Sequence, residues 1–248
     1  MKLSMSVVRA VFASLLLLSG HALHSPSALA QSTSTPATAR IGKRVVGIVL
    51  YPNFEVLDVF GPVEMWSYVP ELQVVMISEK GGLVRSTQGV EVQAQYSFAT
   101  APPLDILMVP GGNGTLVELQ NPTFLNYLTL QNARTEVTTS VCTGSALLAK
   151  TGMLKGHKAT SNKNFFTLAV DADPSVDWMV KARWVDDGKF VTSSGVSAGT
   201  DMALGLVQKL FGKPRAQMLA RSLEYEWHED PNADPFALKE LPKPSSSR

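Results

Sequence analysis

Short apolar runs alternate with stretches of helical spacing along the middle of the chain. Four runs rich in β-branched and other apolar side chains predict strands buried on both faces: residues 44–50, 73–78, 105–109 and 136–141. Three helices are predicted to follow them: residues 63–69, which Pro62 would open, 122–133 and 144–151. This alternation predicts an α/β fold with a mostly parallel sheet and helices on both of its faces.

The later part of the chain adds a hairpin and two helices. Residues 182–185 and 190–193 flank Asp186-Asp187-Gly188, a sequence that favours a tight turn between antiparallel strands. Apolar positions at helical spacing then predict two more helices, the second extending through Trp227. Together with the earlier elements they predict a single domain over residues 43–228.

One cysteine stands at a place where α/β sheets carry their sites, beyond the carboxyl end of a strand. Cys142 lies between a predicted buried strand and a predicted helix, with Gly144 two positions later, which is the layout of a nucleophile elbow. The following helix N-terminus is expected to lower the thiol pKa below its free value of about 8.5. The alternative is an unreactive cysteine that packs as a small hydrophobic side chain.

Both ends of the chain are predicted to lie outside the domain. Residues 1–30 combine a basic start, a short apolar run and small residues before Gln31, which predicts a secretory signal peptide cleaved near Ala30-Gln31. The alternative is an uncleaved interfacial anchor. A flexible leader over residues 31–42 and a loose tail over residues 229–248 are also predicted. The mature protein is therefore expected to be periplasmic or secreted.

Charge and composition narrow the partners further. The chain has 22 basic and 21 acidic residues, and this balance argues against binding to nucleic acid or an anionic membrane. A single cysteine excludes a disulfide framework and a multi-cysteine metal site. His157 and His228 are the histidines outside the signal peptide, and they are too far apart in sequence to form a ligand pair. No metal or cofactor is predicted.

Five segments occur in the order typical of one protein family. They are Leu57-Asp58-Val59-Phe60-Gly61-Pro62, Val109-Pro110-Gly111-Gly112, Ser140-Val141-Cys142-Thr143-Gly144-Ser145, Ala159-Thr160-Ser161-Asn162-Lys163 and Ser194-Gly195-Val196-Ser197-Ala198-Gly199-Thr200-Asp201. This set resembles the ThiJ/PfpI superfamily, with its flavodoxin-like, glutamine-amidotransferase-like fold, over roughly residues 43–228. The first and third segments look most like the isonitrile hydratase branch. The same domain forms the sensor half of some AraC-type regulators.

The resemblance implies a role for each candidate site residue. Cys142 would be the nucleophile, and Asp58, in the loop after the first strand, would share a proton with it and act as general acid. The backbone N–H groups of Gly112 and Thr143 would hold developing negative charge. The Thr143 hydroxyl would add a polar contact to the substrate. The resemblance also implies a homodimer.

Simpler interpretations exist for several of these residues. Asp58 could cap a helix that begins near Pro62, and Gly111 with Gly112 could form only a tight turn. Asp201 is expected to anchor its helix. His228 is expected at the surface, and the four tryptophans are expected in the core or at an interface: Trp66, Trp178, Trp184 and Trp227.

One segment departs from the pattern of peptidase-like and glyoxalase-like members, which place a histidine beside the cysteine. Here the segment contains Asn162 and Lys163 instead, and an amide cannot act as a base. His157 is offset by several residues, so a Cys–His dyad and proteolysis are disfavoured. Lys163 is expected to face solvent.

Three functions are consistent with these residues. The leading hypothesis is an exported carbon–oxygen lyase that uses Cys142 and Asp58 to hydrate an isonitrile or similar small electrophile to an N-substituted formamide. A non-catalytic redox sensor that oxidises Cys142 and a ligand-sensing module are the alternatives. The expected partners are a small electrophilic substrate and a second copy of the chain, with no membrane association after signal cleavage.

Overall fold

The computed structural model describes residues 42–245. The predicted signal peptide over residues 1–30 and almost all of the predicted leader lie outside the described residues, so both stay predictions. Within residues 42–245, none of the helices combines the length and apolar character needed to cross a membrane.

Strands and helices alternate along the described chain, as the apolar pattern predicts. Their order is β1 (Arg44–Leu50), α1 (Val56–Ser67), β2 (Leu72–Ser78), β3 (Gly82–Arg85), β4 (Glu91–Ala94), β5 (Tyr96–Ser97), β6 (Ile106–Val109), α2 (Thr115–Glu118), α3 (Pro122–Asn132), β7 (Val137–Ser140), α4 (Gly144–Lys150), β8 (Lys158–Ala159), α5 (Phe166–Ala172), β9 (Asp177–Trp178), β10 (Trp184–Asp187), β11 (Phe190–Ser193), α6 (Ala198–Phe211) and α7 (Lys213–Ser222).

Seven of these strands form one sheet, in the order β10-β11-β7-β6-β1-β2-β5. All neighbours in it are parallel except β10 and β11, the predicted hairpin. Helices α1, α6 and α7 pack together, and α2 to α5 form a second group. The predicted α/β architecture is therefore confirmed. Because β1, β6 and β7 are adjacent and parallel, the loops after Leu50, Val109 and Ser140 meet at one edge of the sheet.

Two helix boundaries differ from the prediction. Helix α1 begins at Val56, so Pro62 lies inside the helix and does not open it. Helix α7 ends at Ser222 because Glu224 adopts a positive φ of 51° and turns the chain, which leaves Trp227 outside the helix. A single residue such as proline is therefore a weak predictor of a helix boundary where tertiary packing supports the helical backbone.

Residues 229–245, predicted as part of a loose tail, contact the domain at several points. The Arg183 N–H donates to the Pro231 carbonyl across 2.7 Å, and Ser245 makes two hydrogen bonds to Asp171. Asp234 is buried against the domain, where it pairs with Lys163. Proline- and serine-rich composition predicts disorder, but it does not take account of a charged group in the domain that can pair with the segment.

The predicted aromatic core is largely confirmed. Trp66, Trp178 and Trp184 are buried, while Trp227 is half-buried. The indole N–H groups of Trp66 and Trp227 donate to the carbonyls of Ala203 and Asp201, which satisfies their polar edges inside the protein.

Candidate active site

Cys142 lies on a strained strand-to-helix turn, as the elbow prediction requires. Its φ of 59° is in the left-handed region, which non-glycine residues seldom adopt. Gly144 opens α4 in a space so tight that a Cβ would contact the Val109 carbonyl oxygen and lie 2.8 Å from that of Pro110. Cys142 is 5 % exposed and lines a cavity.

Asp58 lies in the first turn of α1, not in the loop before it, and is fully buried. Its Oδ2 accepts a hydrogen bond from the Gly111 N–H across 2.7 Å. The Cys142 thiol lies beside this carboxyl group, close enough to act as a hydrogen-bond partner that lowers the carboxyl pKa. Asp58 does not cap the helix, since Glu55 occupies the N-cap position and makes no side-chain cap bond.

The protonation of this pair differs from the expected activated thiolate. Burial, followed by repulsion from Asp58, raises the pKa of the Cys142 thiol to about 12. Burial also raises the pKa of the Asp58 carboxyl well above its ordinary value, despite the hydrogen bond from Gly111. The predicted lowering of the thiol pKa is wrong because burial and the Asp58 carboxyl raise the pKa more than the hydrogen bonds to the sulfur lower it. Burial thus favours the uncharged form of both groups.

Three N–H donors reach the Cys142 sulfur from different parts of the chain. The Asn162 Nδ2 donates across 3.0 Å, and the backbone N–H groups of Thr143 and Val196 also hydrogen-bond the sulfur. All three favour the thiolate and lower its pKa against the effect of burial. These donors favour a negative charge on the sulfur, whereas burial and the neighbouring Asp58 carboxyl oppose it.

The orientation of the Asn162 amide is set by its other atom. Asn162 Oδ1 accepts hydrogen bonds from the backbone N–H groups of Asn164 and Phe165, at 2.9 and 3.2 Å. These bonds leave Nδ2 as the group that faces Cys142. Val196 is held at a φ of 42°, a genuine strain for a β-branched residue, next to the same sulfur. Sequence reasoning missed both roles because neither contact is local.

Gly112 and Thr143 contact each other at the edge of the site. The Gly112 N–H donates to Thr143 Oγ1 across 3.1 Å, so it binds a developing anion only after that hydroxyl moves. Thr143 Oγ1 also lies 2.8 Å from Thr115 Oγ1 in a buried hydroxyl chain that continues to Tyr51. Gly111 admits no side chain, because a Cβ there would lie 2.9 Å from the Cβ of Cys142.

A cavity of about 320 Å³ leads to the sulfur. Its lining is mainly apolar and amide in character, with one carboxylate: Glu55, Gly112, Asn113, Thr115, Leu116, Cys142, Thr143, Asn162, Phe165, Leu168 and Val196. Three larger cavities, of about 340, 480 and 460 Å³, are not lined by Cys142. The cavity of about 320 Å³ is therefore the route by which a small molecule would reach the thiol.

Lys163 is buried beside this site, and the prediction that it faces solvent was wrong. Its Nζ donates to Thr160 Oγ1 and the Ala182 carbonyl, at 2.8 and 2.6 Å, and lies 3.4 Å from Asp234 Oδ2. Burial, partly offset by Asp234, lowers the pKa of Lys163 to about 8. No local signal predicts this, since Asp234 follows 71 positions later in the chain.

The remaining candidates lie away from the sulfur. His157 Nδ1 lies 2.9 Å from Asp187 Oδ2, and His228 is exposed. Asp201 is fully buried and accepts hydrogen bonds from Arg183 and Tyr225, which confirms its anchoring role. Among residues 42–245, no group of three or more histidine, cysteine or acidic side chains is arranged to hold a metal ion.

The fold and site define a class of α/β proteins that carry a cysteine on a strand–helix elbow beside a buried carboxyl group. The DJ-1/PfpI family model matches residues 43–209, and the chain belongs to this family. This finding confirms the resemblance derived from the five segments.

Three known proteins are similar to this chain in sequence or structure. It is 35% identical over 182 residues to isonitrile hydratase of Pseudomonas putida, which covers 73% of this chain and 78% of that protein. It is 27% identical over 189 residues to the HTH-type transcriptional regulator GbdR of Pseudomonas aeruginosa, covering 73% of this chain but only 50% of the regulator. The crystal structure of a ThiJ/PfpI family protein from Pseudomonas syringae superposes with a TM-score of 0.69 at 29% identity, over 88% of this chain and 90% of that one.

Proposed function

We propose that the protein is a cysteine-dependent hydratase of isonitriles or closely similar small electrophiles. The observation that carries this proposal is the buried Asp58–Cys142 pair, in which the sulfur receives three N–H donors. The similarity to isonitrile hydratase supports the choice of reaction.

The first half of the reaction uses a proton held by Asp58. With the proton on Asp58, the Cys142 thiolate attacks the terminal carbon of R–N≡C and forms a C–S bond. Asp58 delivers its proton to that carbon, giving the thioimidate R–N=CH–S–Cys and leaving a carboxylate. A carboxyl group with a raised pKa suits this step because burial favours its protonated form and it stands next to the reacting atoms.

The second half consumes water. Water adds across the C=N bond, with its oxygen on carbon and a proton on nitrogen, and gives R–NH–CH(OH)–S–Cys. The Asp58 carboxylate accepts the hydroxyl proton as the C–S bond breaks, which releases R–NH–CHO and restores the proton on Asp58. Asn162 and the N–H groups of Thr143 and Val196 stabilise the departing thiolate.

The shape of the cavity fits this substrate class. Isonitriles present a small reactive carbon at one end and a variable substituent at the other. Cys142 is among the residues that line the cavity, and the apolar side chains of Leu116, Phe165 and Leu168 provide a surface for the substituent. No histidine lines the cavity, which fits hydration with Asp58 better than a Cys–His reaction.

The N-terminal pattern and the family lead to two further proposals. We propose that the chain is exported, on the basis of residues 1–30, and that it forms a homodimer. Intact-mass measurement of the protein from the cell envelope tests cleavage near Ala30-Gln31, and sedimentation of the purified protein tests the dimer.

The experiment that tests the hydratase is a turnover assay on the full chain with cyclohexyl isocyanide. We expect N-cyclohexylformamide to form by NMR in the wild type, no product from Cys142→Ala, and unchanged turnover in Asp187→Asn, a matched carboxylate change away from the site. Equal turnover in Cys142→Ala and the wild type would eliminate the proposal.

Ligand sensing without turnover is the second candidate, favoured by the similarity to a transcriptional regulator over 73% of this chain. Saturable binding of a small molecule in the Cys142 cavity, with no product from any isonitrile, would support it. Redox sensing has less support, because a buried thiol with a raised pKa is a poor target for oxidants.

A further inference from the structure

One carboxylate sets the charge of the cavity that leads to Cys142. Of the residues lining it, only Glu55 carries an ionisable side chain apart from the cysteine, and no lysine, arginine or histidine is among them. Within residues 42–245, Glu55 makes no ion pair. The cavity therefore contains an acidic group without a basic counterpart.

Glu55 is held in place by contacts on two sides. Its backbone N–H donates to the Gly111 carbonyl across 2.8 Å, which joins it to the loop packed against Cys142. Both of its carboxylate oxygens lie 2.7 Å from Gln88 Nε2, and Gln88 Oε1 accepts from the Val56 N–H. An uncharged amide donor thus orients the carboxylate and leaves its negative charge in place.

Gln88 lies in the turn between β3 and β4, which pair as antiparallel strands, and this turn is itself anchored to the loop before α1. The Thr87 N–H donates to the Phe54 carbonyl across 2.9 Å, and Thr87 Oγ1 donates to the Asn53 carbonyl across 2.8 Å. The hydrogen bonds of the folded chain therefore fix the position of the Glu55 carboxylate, which does not move as a free surface side chain would.

We infer that Glu55 is a specificity-determining residue that makes the cavity select electrophiles with a positively charged substituent, such as isonitriles that carry an ammonium group. The reactive carbon meets the sulfur, while the ammonium lies near Glu55. A carboxylate-bearing substrate of the same size is rejected, since no cation in the cavity offsets the repulsion. This inference rests on the proposed function, because it names the substrate class of the same site.

Charged thiol reagents test the inference without any turnover. The chain has a single cysteine, so intact mass reports modification of Cys142 alone. In each reaction the thiolate displaces methanesulfinate from a methanethiosulfonate and forms a mixed disulfide. The probes are the 2-(trimethylammonium)ethyl and 2-sulfonatoethyl reagents, and the rate ratio is divided by the ratio for the urea-unfolded chain.

At low salt we expect the cationic reagent to be favoured by roughly tenfold or more, and less at high salt. Glu55→Gln, which is isosteric, should remove most of this preference. Glu64→Gln removes the same charge from the exposed side of α1 and should leave the preference intact. A wild-type ratio equal to that of the unfolded chain, or a preference that survives Glu55→Gln, overturns the inference. The wild-type ratio stands as a test even if a variant misfolds.

Turnover of two isosteric isonitriles separates this inference from the hydratase proposal. The 2-(trimethylammonio)ethyl compound should show a higher kcat/KM than the neutral 3,3-dimethylbutyl compound, and Glu55→Gln should bring the two together. Equal kcat/KM values in the wild type overturn the substrate class and leave the hydratase standing. Hydration of neither compound, with the thiosulfonate preference intact, overturns the hydratase and leaves the charge selection at Cys142 standing.

Discussion

The Asn162 side-chain amide donates a hydrogen bond to the Cys142 sulfur across 3.0 Å, although the two residues are 20 positions apart. The amide occupies the place beside the cysteine where a base would be needed for a Cys–His mechanism. It can stabilise a thiolate but cannot accept its proton, so the proposed mechanism assigns the proton to Asp58. This division of roles underlies the first predictions.

Asn162→Asp should lower kcat/KM for cyclohexyl isocyanide about a hundredfold, the effect of losing one donor to a developing anion. The change keeps Oδ1 for the backbone N–H groups of Asn164 and Phe165 but replaces the sulfur donor with a repelling oxygen. Steady-state kinetics measure the loss. Unchanged kcat/KM in a folded Asn162→Asp variant would show that the amide does not support the thiolate.

Asp58→Asn should reduce turnover at least about a hundredfold, because the general acid is lost. The same change should stabilise the fold at pH 8. The folded pKa of Asp58 lies above its unfolded value of 3.8, so its contribution to stability is present below that pH and is lost as pH rises through the folded pKa. Urea denaturation of the wild type and the variant at pH 5 and pH 8 measures the free energy of unfolding and shows how the contribution of Asp58 changes with pH. A variant less stable than the wild type at pH 8 would contradict the expectation that a buried, ionised Asp58 destabilises the fold.

The alkylation rate of Cys142 should keep rising above pH 9, where a free cysteine levels off, because its thiol pKa is raised to about 12. Asp58→Asn should shift this profile to lower pH by removing the repulsive carboxylate. Iodoacetamide labelling followed by intact mass measures the rate, with Cys142→Ser as the background control. A wild-type profile that levels off below pH 8 would restore the activated thiolate first expected from the elbow.

Gly111→Ala should destabilise the protein by about 1–3 kcal/mol and lower turnover, since an overpacked site forces its neighbours apart. The added Cβ would lie 2.6 Å from the Thr143 nitrogen and 2.9 Å from Cys142 Cβ. Gly152→Ala is a useful comparison, because a Cβ there meets no atom within 4 Å, although the φ of Gly152, 79°, is one that alanine seldom adopts. Equal turnover in the two variants would show that packing at Gly111 does not position the cysteine.

Asp234→Asn should lower the free energy of unfolding by about 3 kcal/mol or more, because it leaves the buried Lys163 charge uncompensated. Glu71→Gln breaks the partly exposed ion pair with Arg215 and should cost at most about 1 kcal/mol. Chemical denaturation of both variants gives the comparison. Similar small losses in both would mean that residues 229–245 add little to stability.

The strands and the elbow were predictable because their signals are local. Runs of apolar residues locate β1, β6 and β7, and parallel pairing of three such strands brings their carboxyl ends together whatever the rest of the chain does. A cysteine followed by Gly144 at the end of a buried strand predicts a sharp turn for the same reason. The ThiJ/PfpI resemblance rested on these local segments.

Only the tertiary structure decided the chemistry of the thiol and the fate of the charged residues around it. The pKa of Cys142 depends on burial and on Asp58, 84 positions earlier, and local reasoning from the helix N-terminus includes neither of them. Lys163 and Asp234 are each typical surface residues by sequence, and they are buried because each is the other's partner. Solvation and pairing belong to the packed molecule, since both depend on groups that the chain brings together only when it folds.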